Sequence, residues 1–133
     1  MAITKTKGGI GEALILADIL RRGYRVALPV GEDCRFDLIV EREGVLEKVQ
    51  CKYTESRNGV ISVICRNCNS RSVKKYSRSE VDWIACYDNT TDKCYYIPSS
   101  FLGDGRAEIS LRLSPPKNNQ RKKVLFASEF LKF

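Results

Sequence analysis

The alternation of apolar and polar positions predicts one helix followed by a series of strands. Residues 8–23, GGIGEALILADILRRG, place Ile10, Ala13, Leu14, Ala17 and Leu20 at three- and four-residue spacing. That predicts an amphipathic helix with this stripe as its apolar face. Arg21 and Arg22 suit a last turn and Gly23 a stop. Glu12 falls in the first turns, where a carboxylate favours the positive end of the helix dipole. YRVALPV (24–30) predicts a strand ending at Pro29, and GEDCR (31–35) a turn. FDLIVER (36–42) and VLEKVQCKY (45–53) predict the arms of a hairpin, and GVISVIC (59–65) a further strand. VDWIACYD (81–88) and CYYIP (94–98) predict a second hairpin around NTTDK. AEISLRL (107–113) predicts an edge strand and ASEFLKF (127–133) a short terminal helix. RNCNSRSVKKYSRSE (66–80) reads as a basic loop with room for a short helix, and SPPKNNQRKK (114–123) as a basic linker. No repeat or boundary interrupts the chain. The expectation is a single domain over 1–133 with a basic C-terminal extension from about 114, in an α+β or mixed α/β arrangement with a mostly antiparallel sheet.

The first hairpin breaks its own pattern. Strand side chains alternate between faces. Phe36, Leu38 and Val40 then share one face, and Asp37 and Ile39 the other. In the second arm Val49, Cys51 and Tyr53 share a face, leaving Gln50 and Lys52 opposite. With Glu43-Gly44 as a two-residue turn, paired residue numbers sum to 87, so Arg42 faces Val45, Val40 faces Glu47 and Asp37 faces Gln50. Opposed side chains lie about 4.5–5.5 Å apart at Cβ, so this register gathers Asp37, Gln50 and Lys52 into one polar cluster. A carboxylate, an amide oxygen and an ammonium together suit a hard cation such as Mg²⁺, which takes one or two protein carboxylates and keeps waters. The lysine could then activate water or stabilise phosphate charge. On spacing alone, an ordinary Asp37–Lys52 ion pair on a solvated face of the hairpin is favoured over a metal site.

Composition narrows the chemistry. The chain has 133 residues and a net charge of +7, which favours an anionic partner, nucleic acid first. A simple solubility surplus is the alternative. Histidine is absent, which excludes histidine catalysis and histidine metal ligation. The basic run supplies Arg66, Arg71, Lys74, Lys75 and Arg78 as candidate phosphate contacts, with no acidic residue before Glu80. IGEALILADIL carries Glu12 and Asp18 and is followed by no small-residue cleavage site, so it is not read as a signal peptide. No stretch reaches the roughly 18 apolar residues of a membrane span. The expected location is the cytoplasm, or association with the nucleoid, with the six cysteines reduced.

Glu12 on an opening helix, then Asp37, then Gln50-Cys51-Lys52, resembles the PD-(D/E)XK nuclease superfamily. VDWIACYDNTTDKCYYIP resembles the strand pair after the catalytic hairpin in its small members. Those include group I intron homing endonucleases and archaeal-type Holliday junction resolvases. The likeness spans about residues 8 to 98. It implies a restriction-endonuclease-like core, an N-terminal helix followed by a mixed central β-sheet with short flanking helices. Asp37 would be the central metal ligand, Lys52 the catalytic lysine, and Glu12 an outer or second metal ligand. Gln50 occupies the (D/E) position, where its amide oxygen would ligate metal with help from the Cys51 backbone carbonyl. Phe36 stands where the proline of the family's name would be, and Gln50 removes one negative charge. The resemblance implies a Mg²⁺-dependent endonuclease on double-stranded DNA, with Mn²⁺ able to substitute, of homing type and working as a homo-oligomer, dimer or tetramer. The alternatives are a Holliday junction resolvase, a type II restriction endonuclease, or an inactive DNA-binding protein of the same fold.

Cys65 and Cys68 form a C-x-x-C, but Cys86 and Cys94 are separated by seven residues, so a zinc site on these four is not favoured over reduced thiols. Cys51 is expected to point into the core and Cys34 to lie in a turn. Trp83, Tyr95 and Tyr96 are expected in the core or an interface more than as platforms for bases.

Overall fold

The computed structural model describes residues 4–31, 34–68, 73–75, 80–102, 107–115 and 124–133; of Thr4, 66–68 and 73–75 it describes the backbone. Helix α1 (Thr4–Arg21) begins one turn earlier than the apolar spacing indicates, and the chain leaves it through Gly23 at φ 92°. Its buried face is also a different one. Ile15 and Ile19 are fully buried, while Ile10, Leu14 and Leu20 are 38%, 39% and 52% exposed. Ala13 and Ala17 are exposed beside them. Between Ile10 and Leu20 apolar residues fall on more than one face, so two stripes compete, and the one led by Gly11, Ile15 and Ile19 packs on the sheet.

Strands β1 (Arg25–Ala27), β2 (Leu38–Arg42), β3 (Val45–Thr54), β4 (Val60–Ile64), β5 (Arg66–Cys68), β6 (Val73–Lys75), β7 (Trp83–Asp88), β8 (Lys93–Pro98) and β9 (Glu108–Arg112) follow in chain order. Among the described residues, five form a central sheet in the order β1-β2-β3-β7-β8. β3 and β7 are parallel and the other pairs antiparallel, so the sheet is mixed. β4 pairs with β9, and β5 with β6, as separate two-stranded ladders. The β5–β6 pair corrects the reading of 66–80 as loop or helix. Its polar composition carries no apolar alternation from which a ladder could be read.

The central sheet is buried on both faces. On one, Ile15 and Ile19 of α1 meet Leu38, Val40, Val49, Ala85, Tyr87 and Tyr96. On the other, the β4–β9 ladder packs Ile61, Val63, Ile109 and Leu111 over Ile84, Cys86, Tyr95 and Ile97. Burial on both sides explains why WIACYD and CYYIP read as near-continuous apolar runs. Ala127 and Phe130 enter the second core from a short 3-10 helix (Ala127–Phe130), within the segment where a short terminal helix was expected. Phe133 then stacks on Tyr96 at 4.4 Å and meets Trp83 edge-on at 5.0 Å, with the Arg42 guanidinium 4.0 Å from its ring. Trp83 is half-buried and donates to Glu47 at 2.9 Å, and Tyr95 and Tyr96 are buried, so these aromatics serve the core. No helix among the described residues is long and apolar enough to cross a membrane.

Candidate active site

The hairpin folds in the register that its turn dictates. Glu43 (φ 51°) and Gly44 (φ 80°) both take positive φ, as a type I′ turn requires. Arg42 pairs with Val45, Val40 with Glu47 and Leu38 with Val49. Asp37 lies one residue before β2, and its N–H donates to the Val49 carbonyl at 2.8 Å, which carries the pairing toward Gln50. Its carboxylate Oδ2 accepts from Gln50 Nε2 at 2.9 Å and from the Cys51 N–H at 2.8 Å. The expected Asp37–Gln50 contact is therefore present. Phe36 departs from the predicted alternation: it packs with the β4–β9 core and not with Leu38 and Val40. The chain there precedes the ladder, so strand alternation does not bind it.

Glu12 reaches the same place from α1. It sits about two turns inside the helix, because α1 begins one turn before the apolar spacing does. Glu12 and Asp37 line one cavity of about 370 Å³ with Leu28, Pro29, Gly31, Cys34 and Phe36. Burial, then the Asp37 charge, raises the Glu12 carboxyl above its ordinary value. Burial raises Asp37 too, against the Cys51 N–H bond and the Lys52 charge, which lower it. Two carboxyls that resist ionising beside one another are a place where a cation is favoured.

Lys52 is on the sheet face of Gln50. Its register partner is Cys86, and both partners of Gln50 and Lys52, Ile84 and Cys86, belong to the β4–β9 core. Burial lowers the Lys52 ammonium below its ordinary value, and Cys65, Asp37 and Cys86 act in the opposite sense. The structure thus gathers Asp37, Gln50, the Cys51 backbone, Lys52 and Glu12 around the start of β2. The Cys51 thiol packs toward α1, and burial, then Asp37 and Glu12, push it well above its ordinary value, so it remains a neutral thiol.

Of the four cysteines of the zinc alternative, Cys65 and Cys86 share the β4–β9 core, and the Cys68 side chain lies outside the described residues. Cys86 belongs to the β4–β9 core and Cys94 packs on the α1 core, on opposite faces of the sheet, so the two cannot share a zinc ion. Among the described residues no three His, Cys, Asp or Glu side chains gather as a metal centre. The candidate site offers two carboxylates and amide and carbonyl oxygens, a hard-oxygen set suited to Mg²⁺ with waters and phosphate completing it. Of the basic residues expected on phosphate, Arg71 and Arg78 lie outside the described residues, and for Arg66, Lys74 and Lys75 only the β5–β6 backbone is described. A hollow of about 410 Å³ lies between α1 and the β7–β8 turn, but its Asp18 is already satisfied by Arg22 and Tyr96.

Two features escaped the sequence reading. The loop containing Leu28, Pro29, Gly31 and Cys34 lines the cavity, and its position just before Asp37 was the available signal. Asp88 is fully buried and accepts from Ser56 N, Ser56 Oγ, Thr91 N and Thr54 Oγ1, tying the end of β3 to the β7–β8 turn.

The profile of PD-(D/E)XK endonucleases matches residues 2–133. The chain belongs to the PD-(D/E)XK endonuclease family. No curated protein matches it. Among solved structures it is similar to a bacterial homing endonuclease, I-Ssp6803I, at 26% identity and a TM-score of 0.71, over 91% of this chain and 84% of that one. As a member of the family it is a nuclease with a mixed five-stranded core behind an N-terminal helix.

Proposed function

We propose that this nuclease is a Mg²⁺-dependent endonuclease, with Mn²⁺ able to substitute, that hydrolyses phosphodiester bonds in double-stranded DNA and is of homing type. The observation that carries the reading is the Asp37 carboxylate, bonded by Gln50 and the Cys51 N–H and sharing a cavity with Glu12. The likeness to I-Ssp6803I supports the homing type. Asp37, Glu12, the Gln50 amide oxygen and the Cys51 carbonyl would hold the ion. When bound, it supplies Lewis-acid stabilisation of the phosphate and of the attacking water. Gln50 orients Asp37 through its amide N–H. Lys52, on the same sheet face as Gln50 and with burial and Asp37 acting on its ammonium, would activate the attacking water or stabilise the charge on the phosphate. We read the whole chain as one domain, located in the cytoplasm or on the nucleoid.

Gln50 tests the reading. Gln50→Glu sets a carboxylate against Asp37 Oδ2, so the free protein loses stability while added Mg²⁺ restores it and cleavage is retained. Gln50→Ala removes both the orienting N–H and the ligand oxygen, and the Mg²⁺ needed for half-maximal cleavage rises about tenfold. A Mg²⁺ titration of cleavage for both variants checks this, and an unchanged requirement in Gln50→Ala contradicts it.

The basic segment is the proposed phosphate contact, through Arg66, Arg71, Lys74, Lys75 and Arg78. Replacing Lys74 and Lys75 with alanine flattens the slope of log affinity against log salt by about two units on duplex DNA. A slope equal to the parent's makes the segment a solvated surface. We also propose a homo-oligomer, dimer or tetramer, because one small core spans too little of a long site. Light scattering with duplex present should give at least a dimer; a monomer at micromolar concentration speaks against the homing reading.

A further inference from the structure

Helix α1 carries Gly8, Gly9 and Gly11, although glycine inside a helix is unfavourable relative to alanine. The three differ in surroundings. A Cβ on Gly8 or Gly9 would meet nothing within 4 Å. On Gly11 it would lie 3.1 Å from the Tyr53 Cβ and 3.4 Å from both the Lys52 carbonyl oxygen and the Tyr53 Cα. Those neighbours are strand backbone and a first side-chain carbon, with no flexible end to swing aside. Gly11 is buried, and it joins Glu12 in sequence to Lys52 in space.

We propose that Gly11 is a positioning residue, whose missing side chain lets α1 lie directly on β3 and so sets the Glu12 carboxylate into the cavity beside Asp37. This rests on the reading of that cavity as the metal-dependent nuclease centre. The mechanics follow from the packing. Ile15 and Ile19, one and two turns on along the same face, are fully buried and anchor the C-terminal half of α1. A side chain at Gly11 lifts the N-terminal half about those anchors, and Glu12 moves with it. Displacements of this order at a catalytic group cost disproportionately, because the ligand must meet its ion at a fixed distance.

The test uses the full chain with Gly11→Ala, Gly8→Ala, Gly9→Ala, Glu12→Gln, Glu12→Asp and the double variant Gly11→Ala/Glu12→Gln. Three quantities are measured: Mn²⁺ affinity by calorimetry, the Mg²⁺ concentration for half-maximal cleavage, and the melting temperature in chelator. Gly11→Ala should weaken Mn²⁺ binding and raise the Mg²⁺ requirement about tenfold. Gly8→Ala and Gly9→Ala should leave both unchanged, with melting temperatures equal to or above the parent's. Adding Glu12→Gln to Gly11→Ala should cost little more, because both remove the same contact. Glu12→Asp withdraws the carboxylate without touching the helix packing, and should reproduce the raised requirement even if Gly11→Ala folds too poorly to assay. Parent-like Mn²⁺ affinity in Gly11→Ala or in Glu12→Asp overturns the inference, as do losses from Gly11→Ala and Glu12→Gln that simply multiply. If Asp37→Asn is inactive while Gly11→Ala and Glu12→Asp behave as parent, this inference falls together with the ligand role of Glu12, and Asp37 keeps its place in the cavity. If Asp37→Asn still cuts, the reading of the cavity falls with it.

Discussion

Replacing Lys52 with methionine is expected to lower cleavage by about two to four orders of magnitude, the usual contribution of a group placed to activate water or to stabilise transition-state charge. Methionine keeps most of the aliphatic stem that packs beside Cys86 and the β4–β9 core, so the fold should persist. Metal binding should survive, because the carboxylates and amide of the hairpin are untouched. The stability effect has a definite sign. Burial lowers the folded-state Lys52 below its ordinary value. The unfolded chain then binds more protons than the folded one between those two values, and stability rises with pH across that window. At neutral pH the ammonium costs stability, so the methionine variant should melt at or above the parent temperature in chelator. Cleavage at the parent's rate contradicts the role given to Lys52, whatever the melting temperature.

Asp37→Asn should separate function from stability still more sharply. Asparagine keeps an oxygen acceptor for Gln50 Nε2 and the Cys51 N–H, so the hairpin's local bonds can remain. It removes the charge that would hold a cation, and cleavage should fall below detection. Duplex binding in Ca²⁺ should persist or strengthen, because a negative charge beside the phosphate has gone. The free protein should become more stable at neutral pH. Burial raises the Asp37 carboxyl in the folded state, so its ionisation opposes folding fully above that raised value and not at all below the unfolded value. The melting difference between variant and parent should therefore be largest near neutrality and vanish in acid. A variant less stable than the parent at neutral pH would mean that the carboxylate is a structural partner.

The residues of the hairpin were legible because local rules suffice there. Glu43-Gly44 fixes a two-residue turn, the turn fixes the register, and the register brings Asp37 to Gln50. The face of α1 was not legible. Ile10, Ala13, Leu14, Ala17 and Leu20 satisfy helical spacing as well as Gly11, Ile15 and Ile19 do, and apolarity alone cannot choose between them. Close approach at Gly11 chooses, and that is a property of the partner strand. The parallel pairing of β3 with β7 is likewise non-local, since no turn joins them, and only the resemblance implied a mixed sheet. Phe36 shows where alternation stops: one residue beyond Asp37 the backbone leaves the ladder and the side chain joins the other core. Glu12 was placed in the first turns because the apolar spacing begins near residue 8, yet the helix runs back through the glycines to Thr4.

The most direct test is cleavage of a pool of supercoiled plasmids carrying randomised inserts, with parent and Asp37→Asn titrated side by side with Mg²⁺. The parent should cut with Mg²⁺ and stop when the ion is chelated. Asp37→Asn, which still shifts duplex in Ca²⁺, should cut at no Mg²⁺ concentration. Cleavage by Asp37→Asn at the parent's rate would place the active site elsewhere and leave Asp37 and Gln50 as an ordinary hydrogen-bonded pair.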